Sequence, residues 1–293
     1  MFMSKQKGFS LVELSVVLTV IGITLAGALE LATSKTESDR ISETNTRISA
    51  IEQAMESFLI KNQRIPCPAD ATAALSSASA GVESNDGAAP PICNKNNNGS
   101  SGVWVGGLPT KTLGLPDRYM ADDWGRRFIY AVKSDFTNNI TTNPLCDGDS
   151  ASGASHLICF KYTTAGNITV NDSTGAARTT EAVYVIVSHG KNGFGAWTYS
   201  GTGPLAASSD TDEVQNAQDG GVYNSTFVQK DSSTTFDDIV EYKTKALLID
   251  NISGITDSTT CAAAASSSAT CTGEAASDCT NMAAQVNKFC LQR

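Results

Sequence analysis

The sequence predicts an α+β fold in which a long N-terminal helix packs on an antiparallel β-sheet head, with a disulfide-stapled C-terminal tail. Three observations predict it. Phe9 to Leu31 is an almost unbroken apolar run; apolar residues then recur at helical spacing as far as Leu59; and the rest of the chain holds short β-branched or aromatic stretches between turn formers. The 293 residues are enough for one or two domains. Only 17% are charged, against roughly 25% in ordinary soluble domains, and the formal charge is −9. Such a balance argues against nucleic acid, whose phosphates need a dense Lys/Arg face. Eight cysteines and only two histidines fit disulfides in an oxidising compartment better than zinc.

Residues 1–8 carry Lys5 and Lys7, and the apolar run from Phe9 to Leu31 is long enough to span a membrane as a helix. It exceeds the roughly 7–15 apolar residues of an ordinary secretory signal and has no small-residue cleavage site at its far end. Glu13 lies near its start. An isolated charge at membrane depth costs at least about 2.5 kcal/mol, so this acid needs a cationic partner. Beyond the run, Ile41, Ile48, Ile51, Met55, Phe58 and Leu59 form one stripe, with Arg40, Glu43, Arg47, Glu52 and Glu56 on the other faces. Pro66 and Pro68 bar further continuation. The expectation is one helix over residues 9–63, about 80 Å long, of which 9–31 crosses the membrane.

The string Lys7-Gly8-Phe9-Ser10-Leu11-Val12-Glu13-Leu14 resembles the class III signal of type IV pilins and type II secretion pseudopilins. The resemblance implies a leader of residues 1–8 removed by the prepilin peptidase between Gly8 and Phe9, and methylation of the new N-terminal Phe9. It also implies that Glu13 meets the positive N-terminus of a neighbouring subunit during assembly. This supplies the missing cation: opposite charges in a low dielectric relieve each other's desolvation.

Residues 64–256 read as one head. Ala, Ser, Asn, Gly and Pro dominate from Ile65 to Gly107, and strand candidates follow at Val103 to Val105, Arg127 to Lys133, Leu157 to Tyr162, Ala182 to Ser188 and Ala246 to Asp250. Asp122-Asp123-Trp124-Gly125-Arg126-Arg127-Phe128-Ile129-Tyr130 resembles the D-x-W-G stretch of major pseudopilins. Ser188-His189-Gly190-Lys191-Asn192-Gly193 resembles their S-x-G-x-D-G turn, with Asn192 at the aspartate position. Asp237-Asp238-Ile239 resembles their closing D-D-I segment. In that family the loop between the last two can hold calcium; this chain offers Asp210, Asp212, Glu213, Asp219, Asp237 and Asp238 there, of which Asp212, Asp237 and Asp238 are the candidate ligands of a calcium ion.

Residues 257–293 form a cysteine-rich tail with few large apolar residues. Sequence neighbours suggest the pairs Cys67 with Cys93, Cys146 with Cys159, Cys261 with Cys271, and Cys279 with Cys290. No phosphate-binding loop, dinucleotide fingerprint or nucleophile elbow is present, and His156 and His189 read as turn or surface histidines, so no enzyme is expected.

The expected protein is a prepilin-like structural subunit of a type IV pilus or type II secretion pseudopilus. Its partners would be other pilin or pseudopilin subunits, the prepilin peptidase and an inner-membrane assembly platform. It would be anchored by a single pass with its head in the periplasm before joining the filament. The alternative is a minor or tip pilin acting as an adhesin or binding module, whose extra loops would form the binding surface.

Overall fold

The computed structural model describes residues 11–62, 64–87, 93, 97–98, 102–137, 166–217 and 225–248. The expected stem is there as α1 (Leu11–Asn62), 52 residues without a break. Its two halves meet different surroundings. Leu11, Val12, Leu14, Val16 and Val17 are exposed, whereas Ile48, Ile51, Met55 and Leu59 are buried. Each of the buried four contributes about 1.5–3 kcal/mol relative to exposure. Among the described residues, no helix is long and apolar enough to cross a membrane. Phe9 and Ser10 lie outside the described residues.

Among the described residues the head is a seven-stranded sheet of β1 (Asn97–Asn98), β2 (Val103–Gly107), β3 (Ile129–Lys133), β4 (Ile168–Asn171), β5 (Ala177–Ser188), β6 (Thr226–Val228) and β7 (Ile239–Thr244), with a short α2 (Thr211–Ala217) before β6. The order is β1-β2-β3-β5-β4-β6, and β7 also pairs with β5. Twelve residues long, β5 is the shared strand: β3 and β7 pair with its C-terminal half and β4 with its N-terminal half. Alternation divides the side chains between two faces. Tyr130, Val132, Tyr184 and Ile186 pack on the α1 stripe, while Ile129, Ala131, Val185 and Val187 join Ile168, Val170 and Phe227 in a second core.

Two expectations are corrected. The sheet is mixed rather than antiparallel, because β4 and β6 run parallel. Between them the chain passes through β5, a long loop and α2, so β6 reaches the free edge of β4 by a crossover rather than a hairpin. The strand expected over 246–250 is absent at 246–248, which are helical. The strand lies upstream at β7, and Leu248 plugs the helix-facing core instead. The candidate strand at Leu157 to Tyr162 and the tail at 257–293 lie outside the described residues. So do the pairs proposed for Cys146, Cys159, Cys261, Cys271, Cys279 and Cys290. Cys67 and Cys93 form the expected disulfide.

Polar contacts fix the stem against the head. Arg47 pairs with Asp123 at 2.6 Å and donates to the Ala121 carbonyl at 3.1 Å, while Thr44 Oγ1 accepts the Asp123 N–H. Farther along, Lys243 meets Glu52 at 3.0 Å. At the helix exit, the Arg64 guanidinium grips Glu83 through two bonds of 2.8 and 2.6 Å, and Glu83 Oε2 also accepts the Cys67 N–H. Arg127, 3% exposed, donates to the carbonyls of Ala71, Ala73 and Tyr199, so one side chain sews the post-helix segment to the loop after β5. Its fork of donors suits such a triple contact.

Two buried tyrosines offer a matched test. Tyr130 donates to the Pro66 carbonyl at 3.1 Å, whereas the Tyr184 hydroxyl is buried without a partner. Tyr130→Phe should cost about 1 kcal/mol and Tyr184→Phe should be neutral or stabilising, read by chemical denaturation of the two variants. Replacing Cys67 and Cys93 together by serine opens a loop of 26 residues and should cost about 3.5 kcal/mol in the chain-entropy description.

Candidate functional site

β5 runs into the turn at His189–Gly193, and this turn faces α2 and the approach to β7. Gly190 has φ of 53°, and a Cβ there would lie 2.3 Å from the Asp237 carbonyl oxygen, so both its conformation and its closeness to Asp237 require glycine. The Asn192 N–H donates to Asp237 Oδ2 at 2.9 Å, and the Asn192 side-chain amide donates to Glu213 Oε1 at 2.6 Å. The Asp237 N–H also donates to Glu213 Oε1. Asn216, one turn along α2, donates to Asp238 Oδ2 at 2.9 Å. One oxygen each from Glu213, Asp237 and Asp238 therefore lies within 4.8 Å of the others.

Glu213 is 1% exposed and Asp238 6%. Glu213 Oε2 and both nitrogens of His189 are buried without a hydrogen-bond partner. Burial, with the neighbouring carboxylates of Glu213 and Asp238 adding to it against the Asn192 N–H, pushes the Asp237 carboxyl up to about 6. Buried, mutually repelling carboxylates with a bare oxygen are a donor set that could hold a hard divalent cation, which takes six to eight oxygens when it is calcium.

Behind this cluster the Asp122–Arg127 loop closes the turn. Asp122, 2% exposed, accepts the N–H groups of Trp124 and Arg126 on Oδ1 and the Ser188 hydroxyl on Oδ2 at 2.6 Å. Burial raises its carboxyl above the ordinary value, and the bonds from Ser188, Arg126 and Trp124 pull it back. Ser188 therefore donates to Asp122 and not to the adjacent imidazole. His189 is fully buried rather than at the surface, with Nδ1 3.5 Å from Asp238 Oδ1.

Of the residues singled out in the sequence, Asp237 and Asp238 meet as expected, and Asp212 does not join them. Adjacent residues of a helix point about 100° apart. Asp212 accordingly turns to Lys230, which also lies 3.7 Å from Asp210 and covers the Phe236 ring, while Glu213 enters the cluster. Glu213 belongs to the same acid-rich stretch, but its local signal equals that of Asp212: the neighbours three and four positions on are Asn216 and Ala217 for the one, Gln215 and Asn216 for the other. Glu13 sits in the first turn of α1 and is exposed. Gly8 and Phe9 lie outside the described residues.

A protein-family model described as the prokaryotic N-terminal methylation motif matches residues 3–29. The chain carries the signal of type IV pilin and pseudopilin precursors. No curated protein and no solved structure matches it. The match covers residues 3–8 of the expected leader, the Gly8–Phe9 junction and Glu13, and the motif implies N-terminal processing and assembly with other pilin subunits.

The raised Asp237 carboxyl sets a pH dependence. Between about pH 4 and 6 the folded state holds a proton that the unfolded state has released, so folding stability falls as pH rises through that window. In chelator, Asp237→Asn should melt at a higher temperature than the parent at pH 7, with the difference shrinking toward pH 4. A difference that does not change with pH would contradict the assignment. Asp122→Ala strands three donors and should cost about 3 kcal/mol or more, read by denaturation.

Proposed function

We propose that this prepilin-like chain is a structural subunit of a type IV pilus or type II secretion pseudopilus, without catalytic activity of its own. It would be cut after Gly8, methylated at Phe9, held in the inner membrane by the first half of α1 with its head in the periplasm, and assembled through that same segment. The observation that carries the reading is the methylation motif over residues 3–29, with Glu13 in the first turn of a helix whose flanking side chains are apolar and exposed. Ser15, Thr19 and Thr24 support it: each hydroxyl donates to a backbone carbonyl three or four residues back, so none asks water for an acceptor. Assembly is then helix packing guided by the pairing of Glu13 with a neighbour's N-terminal cation.

Within the same reading, Asp237 and Asp238 hold a calcium ion that braces the head. The ion would supply the positive charge that three clustered carboxylates lack. A second reading is a minor or tip subunit that displays its head as an adhesin. An open groove of about 960 Å³ between the stem at Glu37, Ile41 and Asn45 and the segment leading into β7 favours it.

Replacing Gly8 by a bulky residue should leave the leader attached, as read by the N-terminal mass. Glu13→Ala should be cut normally yet be strongly depleted from sheared filaments. Normal maturation and assembly of both variants would refute the subunit reading, while scarcity of the wild-type chain in otherwise normal filaments would favour the tip subunit. Millimolar calcium should raise the melting temperature of the parent but not of Asp238→Ala.

A further inference from the structure

The turn after β5 presents an amide, Asn192, beside Asp237 and Asp238, and the third acid comes from elsewhere. Glu213 stands on α2, 21 residues farther along the chain, yet its Oε1 accepts both the Asn192 side-chain amide at 2.6 Å and the Asp237 N–H at 3.1 Å. That oxygen is occupied by protein donors. The other, Oε2, is buried and has no partner, although the residue is only 1% exposed. A carboxylate desolvated in this way is costly unless a cation meets it. One oxygen from each of Glu213, Asp237 and Asp238 lies within 4.8 Å of the others, close enough for a single ion to bridge all three at calcium–oxygen bonds of about 2.3–2.6 Å.

We infer that Glu213 is the third anionic ligand of a calcium-sized cation site, and that Asn192 orients it through Oε1 so that Oε2 faces the ion. Resting on the cation reading above, this relocates the turn's negative charge from residue 192 to α2. An aspartate at 192 would repel Glu213; an asparagine supplies the donor that Glu213 Oε1 needs. The consequence is structural as well as electrostatic. The ion fastens α2, and with it the chain between the turn and β7, to the end of the sheet. Asp212 takes no part because Lys230 holds it.

Terbium(III) luminescence with calcium competition on the full chain in detergent micelles tests the assignment. Wild-type protein should bind, Asp212→Asn should match it, and Glu213→Gln should weaken binding at least about 10-fold, the loss typical even for a group that only supports a ligand. Moving the charge back, with Asn192→Asp in the Glu213→Gln background, should restore most of it. If wild-type protein binds neither ion, the cation reading itself falls. If it binds and Glu213→Gln binds equally well, the role of Glu213 falls and the cation reading stands. Should Glu213→Gln fail to fold, hydrogen exchange of wild-type protein decides: calcium must slow exchange over residues 211–217, and unchanged rates would overturn the inference.

Discussion

The carboxylate of Asp122 is the contact on which the rest of the head depends. One oxygen fixes the backbone of the loop that carries Trp124 and Arg126, and the other takes the hydroxyl of Ser188, the last residue of the shared strand β5. The same loop offers Asp123 to Arg47 and Thr44 of the stem, while Ser188 leads into the turn that meets Glu213, Asp237 and Asp238. Stem, sheet and acidic cluster are joined through a single buried anion. Its burial is costly in itself, and three donors offset that cost. Beyond the turn, burial first and then the neighbouring carboxylates of Glu213 and Asp238 push the Asp237 carboxyl up to about 6, although backbone N–H groups oppose the rise.

The parts of the fold legible in the sequence were those set by local periodicity. Ile48, Ile51, Met55 and Leu59 recur at helical spacing because one stripe must face the sheet, and they are all buried. Val103 to Val105 and Ala182 to Ser188 read as strands because both sheet faces are covered there. Non-local pairing was not legible. The sequence 168–171 is a short polar-flanked stretch whose strand character comes from pairing with β5 and β6. Ala246 and its neighbours are apolar enough for a strand, but β5 had already been paired on that side by Ile239–Thr244, so the apolar Leu248 serves as a plug.

The site shows the same division. Motif residues Asp122, Ser188, Asn192, Asp237 and Asp238 cluster because each motif marks a backbone turn whose geometry travels with its residues. Glu213 and Asp212 are adjacent acids that no local rule separates. Which of the two enters the cluster depends on the rotation of α2, and that is fixed by Asn216 bonding the Val228 carbonyl and Asp238 and by Lys230 drawing Asp212 outward.

The self-satisfied hydroxyls of Ser15, Thr19 and Thr24 carry a consequence of their own. Because their protons are already given to the helix's own carbonyls, this surface makes no directional demand on whatever touches it. Acyl chains and the flank of another helix satisfy it equally, by shape alone. A segment of this kind can exchange one environment for the other without gaining or losing a hydrogen bond at these hydroxyls, so the exchange is governed by packing and by a group of directional demand, Glu13.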